Sequence, residues 1–192
     1  MNTRLTLIAA TALLAGCAST PSPEQQAKLA DESRATVMEL IKKTAGTLQQ
    51  ELGANGPEAA IVVCREKAPQ IARGIMEEKK VQVRRVTTKQ RNPRSAPDAW
   101  ETKVLQDFEA RLAKGEKPDS VEHYQVVNED GKPIFRYMKA LPTLPLCMTC
   151  HGASEYIPAG VQAKLKELYP HDQATGYSVG MLRGAVSLKK PL

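Results

Sequence analysis

The sequence predicts an α+β fold, with helices first and a mostly antiparallel sheet later. Three observations lead there: apolar positions at helical spacing through the first part of the chain, an Asp-Gly hairpin signal at Asp130-Gly131, and a β-branched run near each end of the later region. The chain has 192 residues, of which 42% are hydrophobic and 25% charged, which suits one compact domain and excludes both wholesale disorder and a polytopic membrane protein. One Trp, five Tyr and two Phe leave few large rings to fill a core. The excess of 27 Lys plus Arg over 21 Asp plus Glu gives +6, but these cations are scattered singly or in pairs, so nucleic acid is not an expected partner.

Residues 1–16 read as an export signal: Arg4 precedes an apolar run, Leu5 to Gly16, that is too short to span a bilayer and ends in small residues. Leu14-Ala15-Gly16-Cys17 resembles a bacterial lipoprotein signal, in which cleavage leaves Cys17 as the lipidated N-terminus. Ala18, rather than Asp, then implies an outer-membrane address at the periplasmic face. A plain signal peptide with an incidental cysteine is the alternative. Residues 17–23 form a polar tether with two prolines, and 24–192 form the folded domain.

The first helix is expected from about Pro23 to Leu52, with Leu29, Val37, Leu40, Ile41, Leu48 and Leu52 on one side. Gly53 to Pro57 should break it and start a second helix, which carries Ala60, Ile61, Cys64, Ala68, Ile71 and Ile75 on one face and is kinked by Pro69. Val81 to Val86 reads as a strand, and Arg91 to Pro97, with two prolines, as a loop. A third helix follows over 98–114 with Trp100, Val104, Leu105, Phe108 and Leu112 inward, stopped by Gly115. A hairpin joins Val121–Val127 to Pro133–Leu141. A short helix near 161–168 and a strand near 184–188 complete the order.

Cys147-Met148-Thr149-Cys150-His151 is a C-x-x-C-H, the attachment signature of c-type haem. Two thiols three residues apart can reach the two vinyl groups of one haem, and the adjacent imidazole can approach the iron from one face. The same spacing serves zinc, thiol redox chemistry or a disulfide. Export and the absence of a second C-x-x-C favour haem. With Cys17 assigned to lipid and Cys147 and Cys150 to haem, Cys64 has no covalent partner. It is either a small buried hydrophobe or an axial ligand, and His123, His171, Met138 and Met181 compete for the second role.

The segments Ile61 to Cys64, Ala68 to Ala72, Arg91-Asn92-Pro93, Ala96 to Glu101, Leu146 to Gly152, Ala174 to Tyr177 and Arg183-Gly184 resemble a family of PAS-like c-type haem domains. Members occur as exported single-domain cytochromes and as sensor input modules. The resemblance implies a PAS-like antiparallel sheet flanked by helices and one covalent haem c, with His151 as the proximal ligand of the iron and Cys64 as the distal one. It also places Arg91, Asn92, Arg94 and Arg183 where they could pair with haem propionates, and Tyr177 beside the cofactor. A porphyrin plate would account for the shortage of aromatic rings.

Two functions are compatible with these features. One is a lipid-anchored monohaem electron carrier serving a redox partner protein. The other is a haem-based redox or gas sensor, for a diatomic ligand such as CO or NO, that signals through a partner. No kinase, cyclase or spanning segment follows in this sequence, which favours the carrier. Enzymatic turnover is not expected, because only His123 and His171 offer acid-base chemistry.

Overall fold

The computed structural model describes residues 20–192, so the expected signal segment and Cys17 lie outside the described residues. Helix α1, Pro23–Val62, begins with a reciprocal cap: Ser22 Oγ accepts from Gln25 N–H, and Gln25 Oε1 accepts from Ser22 N–H at 2.7 Å. The expected end at Leu52 is corrected, since helical backbone runs on to a single break at Gly56, φ 80°. Pro57 forces the preceding residue out of the helical region, and glycine takes up the strained conformation without a Cβ clash. After the break the helix resumes, widens into a π turn at Val63–Lys67 and continues as α2, Ala68–Lys79. Pro69 lacks an N–H and would crowd the preceding turn; the π turn just before it absorbs the misfit, and Cys64 sits in that turn.

Strands β1 (Gln82–Val86), β2 (Glu122–Glu129), β3 (Lys132–Pro142) and β4 (Leu182–Pro191) form one antiparallel sheet in the order β1-β4-β3-β2. The β2–β3 turn has positive φ at Asp130 (53°) and Gly131 (78°), the primed turn that Asp-Gly favours. One sheet face carries Val83, Phe135, Tyr137, Val186 and Leu188 against Ala30, Val37 and Leu40 of α1 and Ile75 of α2. The opposite face carries Val86, Met138, Ala140 and Ala185 against Val104, Leu105 and Phe108 of α3, Ala99–Ala113. A third cluster joins Ile61, at the end of α1, to Ile157, Tyr169 and to Val161 and Leu165 of α5, Ala159–Leu168.

Buried charge fixes how the helices dock. Arg34 of α1 donates to Glu122 of β2 at 2.9 Å, and Tyr137 O–H donates to the same carboxylate at 2.7 Å. These donors, Arg34 foremost, hold Glu122 below the usual carboxylate range. On the other face the fully buried Glu101 of α3 pairs with Arg84 of β1 at 2.5 Å and with Arg136 of β3 at 3.3 Å. The Arg136 guanidinium also lies 4.2 Å over the Trp100 ring. Among the described residues, no helix is long and apolar enough to cross a membrane.

Gly184 has φ 140°, and a Cβ there would meet the Val86 carbonyl oxygen at 2.4 Å. Gly184→Ala therefore destabilises by about 2 kcal/mol or more. Phe108→Ala, which empties the core beneath α3, costs about 3–5 kcal/mol. Urea unfolding followed by circular dichroism checks both, and a loss under about 1 kcal/mol at either position would contradict the packing described.

Candidate functional site

The C-x-x-C-H segment forms two consecutive tight turns, Pro145–Cys147 and then α4, Met148–His151. A helical turn puts residues three and four apart on one side, so Cys147, Cys150 and His151 are presented together. All three are partly buried, and both thiols are free. The turn ends at Gly152, where a Cβ would come within 2.7 Å of the Met148 carbonyl oxygen.

The following loop zips onto this turn. Tyr177 N–H donates to the His151 carbonyl at 3.0 Å, and Gly176 N–H donates to the Gly152 carbonyl at 2.8 Å. His151 Nδ1 lies 2.7 Å from the Ala174 carbonyl oxygen. A carbonyl can only accept, so Nδ1 carries the proton and donates, leaving the Nε2 lone pair free to ligate. Burial, then the cations Arg183 and Arg91, pushes the imidazole pKa down to about 2, which keeps it neutral.

Arg91 ties these pieces together. Its Nε donates to Asp172 at 2.9 Å, and its Nη2 donates to the carbonyls of Cys150 and Ala174. Asp172 in turn accepts from Ala174 N–H at 2.8 Å. The guanidinium thus orients the carbonyl that orients His151. Arg91 is tied to the protein scaffold through Nε and Nη2. Asn92 caps the next turn, its Oδ1 accepting from Arg94 N–H at 3.0 Å, and Arg94 is exposed.

Arg183 and Tyr177 do meet His151. Tyr177 is buried, with its ring edge-on to the imidazole at 6.3 Å, and Arg183 and Lys89 lie over the same ring at 5.1 and 4.7 Å. Cys64 is exposed in its π turn. Burial pushes the Cys150 thiol pKa up. Two of the competing ligands, His123 and Met138, fall elsewhere. His123 and Met138 are cross-strand partners on the face covered by α3, His171 is exposed on a loop, and the exposed Met181 accepts from Ser178 N–H through its sulfur. Leu144, Leu146, Val179 and Met181 form an exposed apolar rim beside the motif, the two loops being joined where Gly180 N–H donates to the Thr143 carbonyl at 2.9 Å.

Two residues were missed in the sequence. Arg85 continues the alternate-residue stripe Val81, Val83, whose valines are buried, so a charge in a core-facing register was the available sign. Asp172 belongs to no motif and has no sequence signal.

Residues 23–191 match the model of the Tll0287-like family. The chain belongs to this family. Among solved structures it is similar to the crystal structure of the cyanobacterial haem protein Tll0287, with 28% identity, a TM-score of 0.61, and coverage of 89% of this chain and 97% of that one. No curated protein matches the chain. The PAS-like α+β fold expected from the sequence is thereby supported by a solved relative as well as by the four-stranded sheet itself.

The donor set fits a metal macrocycle. The free thiols of Cys147 and Cys150 would link such a group covalently, and the neutral His151 imidazole would hold its metal. Among the described residues no three His, Cys, Asp or Glu side chains converge, so the zinc alternative lacks a preformed ligand set.

Two outcomes test this geometry. Arg91→Met leaves Asp172 buried without its cation and destabilises the chain by about 3–5 kcal/mol in urea unfolding. The pKa of His151 is about 2 when folded against 6.5 when free, so between these values the unfolded state binds the extra proton. The contribution is complete above about pH 6.5 and is lost as pH falls towards 2, by at most about 1.4 kcal/mol per unit. A cofactor-free Cys147→Ser/Cys150→Ser variant should show this slope in its melting temperature, and adding His151→Gln should flatten it.

Proposed function

We propose that this chain is an exported monohaem c-type cytochrome that transfers electrons, with the haem linked through Cys147 and Cys150 and the iron held between His151 and Cys64. The observation that carries the reading is the imidazole held neutral, with its Nδ1 proton given to Ala174 and its Nε2 left free, one residue from a pair of free thiols. The haem protein Tll0287, similar over most of the chain, supports haem as the cofactor. Bound there, the haem supplies a one-electron couple. The chain's own part would be to offer Nε2 and the Cys64 sulfur as ligands and to surround the site with cations.

A sulfur ligand that binds as thiolate donates negative charge to the iron and lowers its reduction potential. The function proposed is electron carriage and not turnover, at the periplasmic face of the envelope. Cys17 is the lipid attachment point, and a redox protein meeting the rim of Leu144, Leu146, Val179 and Met181 is the partner.

Absorption spectra test this on protein matured with a c-haem attachment system. The ferric form should be low-spin and six-coordinate, dithionite should give sharp c-type bands, and carbon monoxide should leave the reduced spectrum unchanged. No Soret band would sink the haem reading, while a prompt response to carbon monoxide would replace the carrier with a gas-binding sensor. Cys64→Ala should raise the midpoint potential and open the reduced iron to carbon monoxide. An unchanged potential and spectrum would remove Cys64 from the iron.

A further inference from the structure

Two guanidiniums in the cleft have no anion. Arg183 is 4% exposed, its Nε has no hydrogen-bond partner, and its one side-chain bond is a long 3.4 Å contact from Nη1 to Thr87 Oγ1. Arg85 projects from β1 in register with Val186, on the sheet face over which α1 and α2 pack. It is exposed to water, and Thr87, two residues further along, is the residue that Arg183 Nη1 contacts, which sets the two guanidiniums side by side. Among the described residues neither guanidinium forms an ion pair with a carboxylate; the nearest acid, Asp172, already accepts from Arg91 and from Ala174 N–H. The neighbouring charges are Arg91, and each guanidinium for the other. The Tyr177 ring lies 5.1 Å from the Arg183 guanidinium, on the side of His151.

A guanidinium buried without a partner is costly, the more so with a second cation beside it, unless an anion joins them, and a guanidinium fork matches a carboxylate best. We propose that Arg85 and Arg183 together form a carboxylate receptor inside the cleft that holds the C-x-x-C-H motif. This rests on the haem reading for its first source of ligand, the two side-chain acids of the haem. A small free carboxylate is the second source.

The test uses the holoprotein and its Arg85→Gln, Arg183→Gln and Arg183→Lys variants. If the haem acids are held, their carboxylate bending bands in the resonance Raman spectrum move in both Gln variants and move back in Arg183→Lys. If a free carboxylate is held, those bands stay, but sodium formate raises the native melting temperature, and its affinity falls about tenfold or more in Arg85→Gln, a loss of about 1.4 kcal/mol. Unmoved bands together with no response to formate overturn the proposal. Arg85→Gln alters a water-accessible side chain and keeps the test open should Arg183→Gln fail to fold. A protein lacking c-type bands altogether defeats the haem reading alone. The formate arm is then read on the haem-free chain, where an equal response in native and Arg85→Gln proteins, or none, overturns the receptor.

Discussion

The tie between Arg91 and its three acceptors is the interaction on which the site depends. The C-x-x-C-H turn is only four helical residues long and has no hydrogen-bonded strand of its own to hold it. Its position comes instead from a second segment, 172–177, laid against it by backbone bonds and by one arginine that reaches both. Because Arg91 and Asp172 are both largely buried, the pair cannot be opened without leaving a charge stranded, and the loop is held as firmly as a regular element.

The second wall of the site, which carries Cys64, is built differently. Cys64 belongs to a continuous helical run, and what sets its position is the sequence of irregularities along it: the break at Gly56, the π turn and Pro69. A regular helix through this region would rotate every later side chain by a residue's worth of arc. The extra residue of the π turn changes which side chain faces the sheet, in keeping with the frequent use of such turns at functional positions. The two walls thus come from two strategies, a pinned loop and a helix with a local fault.

Much of this was legible in the sequence, for reasons that differ by element. The hairpin was readable because Asp130-Gly131 has few alternatives to a primed turn, and α3 because Asp98 and Glu101 cap each other in front of an apolar stripe. Cys147, Cys150 and His151 were readable because their spacing alone encodes a chemistry. The length of α1 was misjudged because Gly53 is a breaker only where something forces it, and that force, Pro57, acts on Gly56. Arg91 was singled out, but its role was not, since a sequence does not reveal that Asp172 lies across from it. Partnerships across more than 80 residues are properties of the folded chain.

The third packing cluster links the two walls. Ile61 lies three residues before Cys64, Cys150 lies one residue before His151, and both rest against the side chains of α5, with Val161 fully buried between. The cluster therefore works as a spacer between the segment that carries Cys64 and the one that carries His151. A methylene added or removed at Val161 shifts Ile61 and Cys150, and with them the segments that carry Cys64 and His151. The colour of the protein would then be a gauge of how tightly that small apolar cluster is filled.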